Sequence, residues 1–134
     1  MKRSSILVLL SILVVVFFTV PSIGAVLSLK GTWKGTAKVI NLKGQVYSSV
    51  PVVLVVQVQS GNLLKGYLDL FFQDGTERFP LTGTFDGSSM TLTGNNPEQG
   101  NVLGIGKLIN EQIRLQASAF TQGSFMATMA KVPN

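Results

Sequence analysis

The chain has 134 residues, eleven of them Lys or Arg and six Asp or Glu, with no histidine and no cysteine. That composition excludes disulfides, Ser-His-Asp and Cys-His nucleophilic machinery and the usual zinc ligand sets. One domain is expected at this length, and without Lys2 and Arg3 the nine basic and six acidic residues that remain leave a mild positive charge.

The first segment does not read as part of a fold. Lys2 and Arg3 precede an apolar run, Ile6 to Val20, broken only by Ser11 and Thr19. Pro21 ends any helix, and Ser22-Ile23-Gly24-Ala25 supplies small residues where a signal peptidase could cut. Residues 1–25 are read as a secretory signal peptide and residues 26–134 as a single β-barrel domain, secreted or periplasmic. The run is shorter than the roughly 20 residues of a spanning helix, so membrane contact is expected only where this segment stays uncleaved.

From Leu29 to Asn41 polar and apolar residues alternate, with Lys34, Thr36 and Lys38 on one side and Trp33, Gly35, Ala37 and Val39 on the other. A period of two marks a strand with one wet and one dry face. Asn41 to Ser49 reads as a polar connection. Val50–Gln59 is a valine-rich second strand, Ser60-Gly61-Asn62 a three-residue loop, and Leu63–Gln73 a third strand. That loop length sets Val58, Val56, Leu54 and Val52 against Leu64, Gly66, Leu68 and Leu70, an apolar face throughout.

Asp74-Gly75 and Asp86-Gly87 both suit type I′ turns, flanking a strand at Thr76–Phe85 and followed by Ser88–Gly94. Phe79, Leu81, Gly83 and Phe85 then share a face with Leu68, Leu70, Met90 and Leu92. Asn95 to Asn101 is the longest loop. Val102–Ile109 turns through Asn110-Glu111 into Gln112–Phe120, and Thr121-Gln122-Gly123 leads to Ser124–Val132. The last strand has two candidate inward faces, Phe125, Ala127 and Met129 or Met126, Thr128 and Ala130. A two-residue turn at Asn110-Glu111 sets Lys107 opposite Arg114. Like charges so placed are unfavourable, so a shifted register is expected there; an anion between them is the other reading.

Eight strands joined by short turns predict an all-β, antiparallel, up-and-down barrel, with a β-sandwich as the alternative. A barrel also removes the edges of the first and last strands. Outward charges such as Lys65, Arg78, Lys107 and Arg114 speak against a lipid-facing barrel.

Gly31-Thr32-Trp33 resembles the Gly-x-Trp opening of the calycin-like barrels, the group of lipocalins, fatty-acid-binding proteins and avidins. Leu81-Thr82-Gly83-Thr84-Phe85 is similar to avidin strand composition, though the chain has a single tryptophan. The resemblance implies a meander barrel holding a ligand inside. It also implies that Trp33 closes one end, with Arg114 or Lys131 packed over it.

The residues themselves leave two functional readings. Inward Trp33, Phe72, Phe79, Phe85 and Met90 are mixed with small residues such as Gly35, Gly66, Gly104 and Gly106. These either leave room for a small apolar ligand or allow tight packing. Outward Val53, Val55, Tyr67 and Phe71 form an apolar patch suited to self-association or to an envelope protein, with Leu103 and Ile105 also outward. No enzyme is expected, because Tyr47, Tyr67 and Asp69 have no base or nucleophile partner. Asp69 is read as a surface ion-pair partner of Arg78. No cofactor, metal or nucleic-acid partner is expected. The stripe Lys30, Lys34 and Lys38 reads as a solvated face that blocks edge pairing, against the alternative of an anionic partner.

Overall fold

The structure, a computed structural model, describes residues 27–98, 100–119 and 123–133. The segment read as a signal peptide lies outside these residues, as do Phe120, Thr121 and Gln122 of the last predicted hairpin. Eight strands follow one another: β1 (Gly31–Asn41), β2 (Val46–Ser60), β3 (Leu63–Phe72), β4 (Gly75–Phe85), β5 (Ser89–Asn96), β6 (Gly100–Ile109), β7 (Gln112–Ala119) and β8 (Gly123–Lys131). Each pairs antiparallel with the next, and β1 pairs with β8, which closes the sheet into an up-and-down barrel. A sandwich is set aside by that last ladder, which runs from Trp33 opposite Lys131 to Asn41 opposite Gly123.

Alternation decides which side chains fill the barrel. Along β7 every second residue is buried, namely Ile113, Leu115, Ala117 and Ala119. On β8 the buried set is Phe125, Ala127 and Met129, which settles the face left open by its sequence. Among the described residues every strand has a paired neighbour on both sides and the core runs from Leu29 to Met129, so the barrel of residues 27–133 closes without a further strand.

Several turns differ from their expected form. The β2–β3 connection is a two-residue turn, Gly61-Asn62, with Ser60 opposite Leu63. A bulge between Val56 and Val58 absorbs the extra residue, so the expected pairs from Val56–Gly66 to Val52–Leu70 survive while Val58 turns outward. At the next hairpin Phe72 faces Gly75, so Gln73-Asp74 is the turn and positive φ falls on Gly75 alone. Asp86 is not a turn centre either. Its Oδ1 accepts the Ser88 and Ser89 amides at 2.9 and 2.7 Å, leaving Gly87, at φ +108°, to make the bend. These bonds hold the Asp86 carboxyl below the usual carboxylate range.

The first connection is shorter than expected. Asn41 Oδ1 accepts from the Lys43 and Gln45 amides, and Gly44 takes φ +83°, so the chain reverses at once. Val46 to Ser49 belong to β2, with a register shift opposite Lys38 where Ser49 adopts φ +60°. The loop expected from Asn95 to Asn101 is mostly sheet, since Asn95 and Asn96 pair with Asn101 and Gly100.

The shifted register expected at Lys107 and Arg114 is overturned. Asn110 and Glu111 both take positive φ, at +52° and +64°, as a type I′ turn requires. Lys107 therefore does sit opposite Arg114.

Candidate functional site

One end of the barrel is shut and the other is a cup. At the shut end Leu27 to Lys30 fold across the opening. The Trp33 indole Nε1 donates to the Leu29 carbonyl at 2.9 Å, and the Leu29 amide donates to Gln59 Oε1 at 2.6 Å. Gln59 Nε2 in turn donates to the Leu27 carbonyl at 3.0 Å. Of the two cations that the resemblance placed over Trp33, the register brings Lys131 opposite it and leaves Arg114 on the outer surface.

Between the ends the barrel is filled. Leu68, Phe79, Leu81, Leu92, Leu115 and Phe125 leave a void of only about 10 Å³ beside Gly104 and Ala117. That is at the limit of roughly 10–15 Å³ needed for a single water. Here the small inward residues serve packing. Had Gly106 a Cβ, it would lie 2.8 Å from Met90 Cγ, so this glycine makes space for the methionine.

The cup lies at the opposite end and encloses about 360 Å³. Its floor is apolar, formed by Val39, Leu70, Phe79 and Phe125. Tyr47 and Phe72 make one lip, their rings edge to face with centroids 6.0 Å apart. Asn41, Gln73, Asp74, Glu77 and Ser124 complete the rim, which among the described residues contains two carboxylates and no cation. The volume falls within the range of small-molecule sites, about 300–1,000 Å³.

Of the five residues proposed from sequence as ligand contacts, Phe72 and Phe79 line the cup, whereas Trp33, Phe85 and Met90 are buried outside its lining. Tyr47 and Glu77 were missed. Tyr47 fell in an expected loop, but Glu77 shares its parity with Phe79, Leu81 and Phe85, a signal that was there to read.

The outward patch on β2 and β3 is partly covered. Val53, Val55 and Tyr67 are half-buried and Phe71 is exposed. Arg78 lies 4.0 Å from the centre of the Tyr67 ring and makes a two-pronged ion pair with Asp69, at 2.8 and 2.9 Å. That bond, above all, raises the Arg78 pKa. Asp69 is thereby buried on the outer surface under the guanidinium. Among the described residues no three acidic side chains gather as a metal site would need.

Burial pushes the Glu77 carboxyl up, with a further push from Asp74. An unfolded chain releases this proton near pH 4, the fold at higher pH. The folded state thus binds the proton more tightly, so stability falls as pH rises from the ordinary value through the raised one and stays lower at neutral pH. Glu77→Gln is expected to remove this fall. Thermal unfolding midpoints of variant and wild type should coincide near about pH 3, with the variant higher near about pH 7.

This closed, eight-stranded meander has the fold of the calycin-like small β-barrels. Similar solved structures are a redesigned β-barrel, mFAP1, bound to DFHBI (TM-score 0.56, 18% identity, covering 77% of this chain and 94% of that one) and a redesigned β-barrel, b11L5F_LGL (0.55, 19%, 78% and 92%). A third, EF1p2_mFAP2b bound to DFHBI, has a TM-score of 0.52 at 15% identity, covering 78% and 94%. No protein-family model and no curated protein sequence matches the chain.

Proposed function

We propose that this is an exported, non-enzymatic barrel that holds a small apolar molecule in the cup. The observation that carries the reading is the contrast along the barrel axis, with a filled middle and an open, apolar-floored end of about 360 Å³. Support also comes from two barrels of the same fold, both bound to DFHBI. Export rests on the leading apolar segment, Ile6 to Val20, after Lys2 and Arg3.

The rim narrows the ligand class. Asp74 and Glu77 face the entrance with no cation among the described lining residues, so a fatty-acid carboxylate meets repulsion where it needs a partner. A neutral or cationic molecule with an apolar body fits, its polar end on Asn41, Gln73 or Glu77.

Nile red, a neutral dye, tests this. Wild type is expected to bind it with a blue shift. Ala119→Phe, which projects a ring from the cup wall, should weaken binding by at least about tenfold, or 1.4 kcal/mol, with the fold kept. Lauric acid should bind wild type more weakly than a neutral alcohol of the same chain length, and Glu77→Gln should narrow the gap. Absence of dye uptake by wild type, or equal uptake by Ala119→Phe, overturns the reading.

A further inference from the structure

The acids and bases of the barrel are unevenly placed. Strands β1, β6, β7 and β8 carry no carboxylate, yet Lys34, Lys38, Lys107 and Arg114 point outward from them. Lys107 and Arg114 are directly opposed, and among the described residues the only ion pair is Arg78–Asp69, on β3 and β4. Guarding a sheet edge cannot account for the lysines of β1, because β1 is paired on both sides.

Beside these cations lies an exposed apolar strip of the sheet. Ile105 is 59% and Met126 61% exposed, one register row from Lys107 and Arg114, with Gln116 between them. Leu103, Ile40 and Val46 continue the strip, and Lys38 is the partner of Met126. Apolar strip and cation row run side by side along one face.

We propose that this face docks on the surface of a membrane containing anionic phospholipid. Aliphatic side chains enter the headgroup boundary while Lys38, Lys107 and Arg114 meet phosphates, which also relieves the like-charge contact. A second copy of the chain is a poor occupant, since two such faces oppose cation to cation. Nucleic acid is a poor one too, because no aromatic ring points outward from these four strands for bases to stack on.

The test uses residues 27–134, which removes the apolar leader from the measurement, and sedimentation with vesicles of phosphatidylcholine alone or mixed with phosphatidylglycerol. Binding to the mixed vesicles only, weakening with salt, is expected. Lys107→Glu with Arg114→Glu should weaken it by more than about twentyfold, at about fivefold per charge. Ile105→Ser with Met126→Ser should weaken it as well, and Lys65→Glu, on outward β3, should leave it unchanged. These positions are exposed, and unchanged circular dichroism confirms that each variant folds. No binding to the anionic vesicles, binding to phosphatidylcholine alone to the same extent, or an equal loss with Lys65→Glu overturns the proposal. So does a result in which only an acidic protein, and no vesicle, is bound.

Discussion

Gly35→Ala is expected to destabilise the barrel by about 3 kcal/mol or more, lowering the thermal midpoint by about 12 °C or more. A Cβ at this inward position of β1 falls onto the Thr128 carbonyl oxygen and within 2.9 Å of Met129 Cα. Both obstacles are backbone of β8, the strand whose ladder with β1 closes the cylinder. A side chain could rotate away; a paired strand cannot without breaking hydrogen bonds. Glycine is needed at Gly35 because two backbones approach closely there as the sheet curls. Gly104→Ala is the control. Its Cβ meets Leu115 Cδ1 at 3.1 Å, the end of a side chain that can turn aside, and Ala117 Cβ at 3.4 Å, an ordinary contact, so a loss within about 1 kcal/mol is expected. Equal losses in the two variants would remove closure as the reason for Gly35.

Sheet and register were legible because one rule sufficed for them. Apolar residues repeat every second position, so the pairing that hides them is nearly unique. It put Val56, Leu54 and Val52 beside Gly66, Leu68 and Leu70, as found. What the rule cannot register is a backbone that departs from it. The bulge after Val56 and the left-handed Ser49 are conformations, not polarity patterns, and each moved the end of a strand or a turn. The same blind spot hid the cup. Tyr47 lies beyond the Ser48-Ser49 irregularity, so its place on the wall opposite Val39 could not be read from alternation.

Trp33 separates folding from binding. Trp33→Ala is expected to cost about 3–5 kcal/mol, because a large buried side chain is deleted and little around it can collapse into the space. Trp33→Phe keeps most of the burial but removes the indole N–H, leaving the buried Leu29 carbonyl without its donor. A loss of about 1–2 kcal/mol is expected, with faster hydrogen exchange at the Leu29 amide as the strap over the shut end loosens. Denaturant midpoints and amide exchange check both. Trp33 does not line the cup, which lies at the far end beyond a filled core, so Trp33→Phe should bind Nile red as wild type does. A strap that loosens while dye affinity holds means that the shut end serves stability and the cup serves the ligand. A matching fall in affinity would instead mean that the interior works as one connected space, against the packed middle on which the division depends.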